Sequence, residues 1–240
     1  MQVTVMNFSG VYKPQTFYKN IQSEWLECAD ISGTNAYCDE EAEQEIQKRM
    51  GARDARGVHF IDSGNYHYVS KLWLERVNKP FELIVFDNHT DMQPPMFGDI
   101  LSCGSWIKRA LETNENLKKV VLIGPPKSAW EELLDDSRIR FVSREELAAC
   151  TGEEAVGSGT LPVYVSIDKD VLAVSEAQTN WDQGEMLLER LLEMIQAIRA
   201  GRDVIGWDVC GEDPERAESE EYTQKADQGN EKLLCAICGL

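Results

Sequence analysis

Two short segments of the chain concentrate the residue types that bind metal ions. Asp87, His89 and Asp91 alternate in the first segment, and Asp168 and Asp170 alternate in the second. Each segment directly follows an apolar run. If the extended backbone continues, side chains two positions apart point to the same side and can converge on a cation. Open α/β sheets place their ligands at this carboxyl end of the strands. The spacing therefore predicts a metal site.

The chemistry of these side chains indicates which metals they would hold. Carboxylates and imidazoles without thiolates favour Mn²⁺, Mg²⁺, Fe²⁺ or Zn²⁺ over soft metals. The two segments together offer four acids, whose mutual repulsion is excessive for one ion. Two divalent ions about 3.5–4 Å apart, sharing bridging carboxylates, would balance that charge. We therefore expect a binuclear centre.

The chain has three histidines, His59, His67 and His89. His67 lies just past the apolar run 58–62, after Gly64, where a glycine permits a tight turn. Its proximity to the acid-rich segments makes His67 a further candidate ligand. His59 lies inside the apolar run, and we expect it to be structural.

The elements that must position these residues are short, apolar and rich in β-branched side chains. Their nearly continuous apolar character is typical of strands that are covered on both faces. Helical stretches separate them, and strand alternating with helix predicts a mostly parallel α/β sheet with right-handed crossovers. No linker or composition break divides the chain, so we expect a single domain over residues 1–240. The predicted strands are 3–8, 58–62, 81–87, 120–124, 139–142, 163–168 and 204–208.

Helical patterns occupy three stretches between these strands. Residues 40–50 form a polar stretch that we expect to be exposed, and residues 105–112 follow the third strand. Residues 185–200 carry one apolar stripe, made by Leu187, Leu191, Met194 and Ile198. We expect a loop over 152–159. The acidic segment 212–222 is expected to be a solvated loop or a helix start.

Composition excludes several classes of function. The chain has 240 residues and a formal net charge of -18, which argues against nucleic acid as a partner. It has neither a signal-peptide pattern at its start nor an apolar run long enough to span a membrane. Seven scattered cysteines do not form a disulfide framework and favour the cytoplasm. Cys235 and Cys238 have redox-motif spacing, but their apolar surroundings favour helix packing.

These motifs carry a family resemblance. The chain resembles the arginase/agmatinase/formiminoglutamase group, the ureohydrolase superfamily, as a divergent short member. The D-x-H-x-D motif of that group matches residues 87–91, and its S-x-D-x-D motif matches residues 166–170. Its Gly-Gly-Asp-His segment resembles residues 63–67, with one extra residue before the histidine. Its D-x-x-E-x-N-P segment is similar to residues 208–214. The resemblance implies a three-layer α/β/α fold with a mostly parallel central sheet.

The resemblance also implies a binuclear manganese site, with Zn²⁺ or Fe²⁺ as alternatives. One ion would be held by His67, Asp87, Asp91 and Asp168. The other would be held by Asp87, His89, Asp168 and Asp170, so that Asp87 and Asp168 bridge the pair. A metal-bridging hydroxide, oriented by Asp91, would attack the planar carbon of a guanidino, amidino or amide group. This assignment agrees with the general ability of paired metals to activate water.

The chain departs from the family around the substrate. No histidine follows His89, where arginases carry a further one in the stretch that here spans residues 94–106. Gly211 stands at the family's glutamate position, with Glu212 one residue later. The Asp-Pro expected after the second motif is replaced by Ala173 and Val174. The metal site is therefore kept while the substrate pocket is altered, and arginase activity itself is not expected.

The sequence leads to one main hypothesis and two alternatives. The chain would be a cytoplasmic, metal-dependent hydrolase of non-peptide C–N bonds in a small molecule, with Asp91 and Glu212 as catalytic residues. Glu212 and Asp208 would pair with a cationic substrate, which the net charge of -18 would suit. The alternatives are a mononuclear zinc deacetylase and a non-catalytic, metal-stabilised protein. A homo-oligomer would be in keeping with the family.

Overall fold

The computed structural model describes residues 1–94, 98–132 and 135–240. Its largest element is an eight-stranded sheet in which every neighbouring pair of strands is parallel. A separate two-stranded antiparallel sheet pairs β3 (Tyr37–Cys38) with β6 (Leu101–Ser102). The strands of the main sheet are β1 (Val3–Asn7), β2 (Ser23–Glu27), β4 (Gly57–Phe60), β5 (Phe81–Phe86), β7 (Leu117–Ile123), β8 (Ile139–Val142), β9 (Val163–Asp168) and β10 (Val204–Cys210).

Helices cover both faces of the main sheet, as expected for parallel strands that are buried on two sides. Two separate clusters of buried apolar side chains fill the two interfaces. One cluster joins the sheet to the helices of residues 40–50, 69–74 and 106–113. The other joins it to the helices of residues 152–156, 188–201 and 220–238. The predicted three-layer α/β/α fold is therefore confirmed. The helices are α1 (Glu40–Met50), α2 (Val69–Leu74), α3 (Trp106–Thr113), α4 (Arg144–Leu147), α5 (Gly152–Val156), α6 (Leu188–Gly201) and α7 (Glu220–Cys238).

All seven predicted strands are present, and one strand of the main sheet was missed. The missed strand, β2, lies at one end of the strand order β2-β1-β4-β10-β9-β5-β7-β8. Only Leu26 of its five side chains is buried. Polar and charged side chains are typical of edge strands, where they discourage pairing with other chains. An edge strand of this kind lacks the continuous apolar run by which the other strands were predicted.

Several local predictions need correction. The helix α1 is not wholly exposed, because Ala42, Ile46 and Met50 are buried against the sheet. The segment 152–159 is not only a loop, because a capping box between Thr151 and Glu154 starts α5 there. In α6 the buried residues begin at Leu188, since Leu187 lies before the helix and is 55% exposed.

The last third of the chain contains the acidic segment and the cysteine pair. A 3₁₀ turn at Pro214–Arg216 and the first turn of α7 lie within residues 212–222, so the prediction of a helix start is confirmed. Glu212 itself is fully buried rather than solvated. Cys235 and Cys238 lie in α7 as free thiols, next to the buried side chains of Leu234 and Ile237, which fits a packing role. Among the described residues, none of the helices combines the length and apolar character required to cross a membrane.

The order of the central strands explains where the functional residues meet. The strands β4, β10, β9 and β5 are neighbours in the sheet, and their carboxyl ends lie at one edge. His67 follows β4, Asp87 follows β5, and Asp168 ends β9. Residues far apart in sequence therefore converge at this edge, where open parallel sheets place their ligands.

Candidate metal centre

Two turns of the same kind aim the acidic side chains. After β5, the carboxylate Oδ1 of Asp87 accepts a hydrogen bond of 2.6 Å from the backbone N–H of His89. After β9, Oδ1 of Asp168 accepts one of 2.9 Å from the N–H of Asp170. The side chains therefore converge through turns, and the expectation of a continued extended backbone is wrong. Aspartate commonly forms such local bonds with the backbone two residues on.

Asp91 adopts an uncommon backbone conformation. Its φ is 49°, in the left-handed region that aspartate tolerates better than most residues. Its Oδ2 accepts a hydrogen bond of 2.6 Å from the indole Nε1 of Trp106, at the start of α3. This contact, together with burial, holds the carboxylate towards His67.

His67 is oriented by a chain of hydrogen bonds on the side away from the acids. Its Nε2 lies 2.8 Å from Oγ of Ser166, and that hydroxyl donates to Oδ1 of Asp208 at 2.6 Å. Because the hydroxyl proton is given to Asp208, Nε2 donates to Ser166, which leaves Nδ1 directed at the carboxylates. Hydrogen-bonded partners of this kind fix the orientation of metal-binding histidines.

Three carboxylates surround the Nδ1 atom of His67. The nearest Oδ2 atoms of Asp91, Asp87 and Asp168 lie 3.1, 3.2 and 3.6 Å away. Gly64 makes this approach possible, since a Cβ there would lie 2.9 Å from Oδ2 of Asp168. The glycine is therefore required for space beside the carboxylate.

His89 stands on the more open side of the same cluster. Its Nδ1 lies 2.8 Å from Oδ2 of Asp170 and 3.5 Å from Oδ1 of Asp87. The side chain is 35% exposed, while both carboxylates are buried. The ring edge of His89 faces Trp181 at a centroid distance of 5.8 Å.

The structure brings together all six residues that were predicted as metal ligands. We call this set the acidic centre; its members are His67, Asp87, His89, Asp91, Asp168 and Asp170. Two groupings within it have the spacing needed to hold an ion, and both contain Asp87. All six residues line one cavity of about 290 Å³, together with Tyr37, Cys103 and Trp181. This is about the smallest volume typical of small-molecule sites.

The acidic centre contains four carboxyl groups and two imidazoles, and burial and neighbouring charges shift their pKa values. Burial and the charge of Asp87 raise the pKa of Asp91 to about 7. Burial and the charges of Asp168 and Asp87 raise the pKa of Asp170 well above its ordinary value. Burial would lower the pKa of His89, but hydrogen bonds to Asp170 and Asp87 raise it to about 12. The pKa values of both acids and of the histidine are therefore raised, so a cation would compete with protons for these three groups.

Two further observations fit a bound cation. Oδ2 of Asp87 is buried and accepts no hydrogen bond, which is costly for a carboxylate oxygen. Among the described residues, no lysine or arginine lines the cavity to balance the four aspartates. Oxygen and nitrogen ligands of this kind suit Mn²⁺, Fe²⁺ or Zn²⁺. The residues present therefore fit the predicted metal ions.

Glu212 lies outside the cavity, in a second buried cluster. Its carboxylate is ion-paired with Lys169 and accepts hydrogen bonds of 2.7 Å from Asn230 and 2.8 Å from Tyr222. Gln15 donates to it at 3.2 Å. We call these five residues the Lys169 network. Because every contact of the Glu212 carboxylate is internal, this geometry gives no support to its predicted pairing with a substrate.

The other residues named outside the acidic centre also have structural surroundings. Asp208 lies behind His67 and reaches it only through Ser166, so it does not face the cavity. His59 stacks on Trp73 with ring centroids 3.6 Å apart and does not line the cavity, which fits the predicted structural role. Burial lowers the pKa of His59 to about 3. The stretch 94–106 includes residues 95–97, which lie outside the described residues.

Sequence reasoning missed two residues that touch the acidic centre. Trp106 donates to Asp91, and Cys210 places its Sγ 3.2 Å from Oδ2 of Asp168. Cys210 is the last residue of β10 and stands directly opposite Asp168 in the sheet. This pairing between strands was the only signal for the cysteine, and it depends on the strand order. The Trp106 contact depends on how α3 packs.

Comparisons with known proteins show which family and fold the chain is similar to. A model of the Arginase family matches residues 15–229. An uncharacterized protein of Thermotoga maritima is 30% identical over 235 residues, which are 98% of this chain and 89% of that protein. The formimidoylglutamase of Bacillus subtilis is 15% identical with a TM-score of 0.73, covering 99% of this chain and 86% of its own. The Trypanosoma cruzi formiminoglutamase, solved with Mn²⁺, is 14% identical with a TM-score of 0.66, covering 98% and 93%.

Proposed function

The chain belongs to the arginase family, and we propose that it is a metal-dependent hydrolase of non-peptide C–N bonds in a small molecule. The observation that carries this proposal is the convergence of four aspartates and two histidines on one cavity. Members of this family that resemble the chain in structure act as hydrolases, by their names. A guanidino, amidino or amide group is the proposed point of cleavage.

The proposed cofactor is a pair of Mn²⁺ ions, with Zn²⁺ or Fe²⁺ as alternatives. His67 and Asp91 would hold one ion, His89 and Asp170 would hold the other, and Asp87 and Asp168 would contact both. The shared place of Asp87 in both candidate groupings supports this assignment. When bound, such a pair would supply Lewis-acid chemistry, making water nucleophilic near neutral pH and offsetting the negative charge that develops during attack.

The chain's own residues would prepare the reaction. Asp91 is held by the indole of Trp106, so its carboxylate is positioned to orient the attacking water. Ser166 and Asp208 keep the ring of His67 in one orientation. Trp181 and Tyr37 line the cavity beside the acidic centre and narrow the space for a substrate.

Metal content of the purified protein tests the proposal directly. The protein would be treated with a chelator, reloaded with Mn²⁺, desalted and measured by mass spectrometry. We expect about two manganese ions per chain in the unaltered protein. The Asp87→Ala, His89→Ala double variant should retain less than one. Unchanged metal content in this variant would contradict the assignment.

A matched control separates ligand loss from a general effect of removing acids. Asp203 precedes β10 at the opposite end of the strand, and its side chain is 75% exposed. Asp203→Ala should keep the full manganese content. Turnover by the loaded protein would then be sought among guanidino, amidino and N-acyl compounds, and should be lost in the double variant.

Two alternatives predict different outcomes of the same measurement. One ion per chain would favour a mononuclear zinc deacetylase, and the presence of a thiol beside Asp168 gives that alternative some support. No retained metal would favour a non-catalytic member of the family. The second alternative is motivated by the absence of a histidine after His89 and by Gly211.

A further inference from the structure

One thiol lies against the acidic centre and has no part in the proposed hydrolysis. Cys210 is fully buried at the end of β10. Its Sγ lies 3.2 Å from Oδ2 of Asp168. Ligand atoms of His67, Asp168 and Cys210 all lie within 4.8 Å of one another. The chain therefore places a nitrogen, an oxygen and a sulfur ligand around one point.

Two of the distances among these atoms are close to those of a tetrahedral zinc site. With Zn–S of about 2.3 Å and Zn–N or Zn–O of about 2.0 Å, tetrahedral angles place neighbouring ligand atoms about 3.3–3.5 Å apart. The distance from Sγ of Cys210 to Oδ2 of Asp168 is 3.2 Å. The distance from that oxygen to Nδ1 of His67 is 3.6 Å. The sulfur of Cys210 and the ligand nitrogen of His67 lie within 4.8 Å of each other, so the three side chains are within reach of one ion.

An independent observation points to a ligand at the same place. Oδ2 of Asp87 is buried, accepts no hydrogen bond and lies 3.2 Å from Nδ1 of His67. It belongs to the neighbouring grouping with His67 and Asp91, so a cation beside His67 would answer both observations. Two of the three ligands around Cys210, His67 and Asp168, are shared with the proposed manganese site. The thiol is the addition that changes the choice of metal, because sulfur ligands favour zinc over manganese.

We propose that Cys210 is a metal ligand that makes the His67 side of the acidic centre selective for zinc over manganese. This inference rests on the proposed function, since it concerns one half of the same metal centre. The other half, at His89 and Asp170, has only nitrogen and oxygen ligands among the described residues. On binding, the Sγ–H bond of Cys210 breaks, a metal–sulfur bond forms, and one proton is released to solvent.

Cobalt provides a spectroscopic test, because Co²⁺ occupies zinc sites and absorbs in the near ultraviolet when a thiolate binds it. Chelator-treated protein would be titrated with Co²⁺ and its absorbance recorded. The unaltered protein should develop the thiolate-to-cobalt band, and Cys210→Ser should not. Cys28→Ser is the matched control, because Cys28 is equally buried but belongs to no candidate metal grouping of the described residues. Cys103→Ser tests a cysteine that lines the cavity. Both should keep the band.

Competition between metals gives the second measurement. Equimolar Zn²⁺ and Mn²⁺ would be offered to each protein, and the bound metals counted by mass spectrometry. The ratio of bound zinc to bound manganese should fall by about tenfold or more in Cys210→Ser. Removing only a hydrogen-bond partner of a metal ligand already weakens metal binding by about that factor. The ratio should stay unchanged in Cys28→Ser. Equal ratios in the two variants would overturn the proposal.

X-ray absorption of the unaltered, zinc-loaded protein avoids any variant that fails to fold. A sulfur neighbour at about 2.3 Å from zinc would support the proposal, and a shell of nitrogen and oxygen alone would overturn it. The outcomes also separate the two proposals. Bound metal without a sulfur neighbour overturns only the role of Cys210. The absence of any bound metal overturns the proposed function and this inference together.

Discussion

The acidic centre and the Lys169 network are two buried charged clusters at the carboxyl end of the sheet. Both take residues from the turn at 168–170. Asp168 and Asp170 point into the acidic centre, while Lys169, between them, points into the Lys169 network. In the network, one cation meets one anion and three neutral groups complete the hydrogen bonds. In the acidic centre, four aspartates meet two histidines, and one carboxylate oxygen of Asp87 accepts no hydrogen bond.

The difference between the clusters distinguishes a structural role from a binding role. Buried charge is costly unless it is paired and hydrogen-bonded. The Lys169 network meets that condition with its own side chains and so needs no ligand. The acidic centre does not meet it among the described residues, and positive charge must come from protons or from metal ions. An excess of buried acids over buried cations therefore indicates a binding site, whereas a buried acid paired with a cation does not.

The largest loss of stability is expected from breaking the ion pair of the Lys169 network. Glu212→Gln leaves the ammonium group of Lys169 buried without its anion, which should lower the free energy of unfolding by about 3–5 kcal/mol. Urea unfolding followed by circular dichroism would measure this loss. The Lys169→Gln, Glu212→Gln double variant should lose less than Glu212→Gln alone, because the unpaired charge is gone. A single variant as stable as the unaltered protein would mean that the pair is not a structural element.

A smaller change in the free energy of unfolding is expected from Asp91→Asn. Its sign should differ between the metal-free and the manganese-bound protein. Burial raises the pKa of Asp91 from its ordinary value to about 7, so ionised Asp91 destabilises the metal-free fold. This penalty grows as the pH rises from about 4 to about 7, and each pKa unit is worth about 1.4 kcal/mol. Metal-free Asp91→Asn should therefore be more stable than the unaltered protein at pH 7 and about equal to it near pH 4.

Added manganese should make the unaltered protein more stable than Asp91→Asn at pH 7. At a manganese concentration about 100 times the dissociation constant, the unaltered protein should gain about 2.7 kcal/mol. Asp91→Asn should gain much less, since it lacks one ligand. Thermal unfolding with and without Mn²⁺ at several pH values would show both effects. An equal gain in the two proteins would remove Asp91 from the set of ligands.

The smallest effect is expected from removing the hydrogen-bond partner of His67, and it concerns metal affinity. Ser166→Ala removes the hydroxyl that links Nε2 of His67 to Asp208, while all six proposed ligands remain. Loss of such an outer partner typically weakens metal binding about 10–100-fold. Titration against a competing chelator would measure it. Ser70→Ala is the control, because Ser70 is also buried and lies 3.4 Å from Ser166 but does not bond His67. Equal affinities in both variants would argue against orientation of His67 by Ser166.

The sequence was most informative where burial dictates residue type. Strands covered on both faces must be apolar throughout, so the six inner strands could be predicted from their apolar runs. The edge strand β8 was predicted in the same way, since it keeps a short apolar run. The edge strand β2 has no such requirement, because most of its side chains are not buried. The short helix α5 was missed because its five residues are too few to show a periodic pattern. Prediction therefore weakened towards the surface of the fold.

The residues of the acidic centre could be named from the sequence itself, because they follow buried strands at the edge where open parallel sheets place their ligands. What surrounds those residues was decided only by the tertiary structure. Glu212 and Cys210 are two residues apart in sequence, yet the first is taken up by Lys169 and the second lies against Asp168. Strand order and helix packing place their partners, and these depend on contacts between residues distant in the chain. A residue type states which chemistry is available, and only its neighbours in space decide whether that chemistry is used.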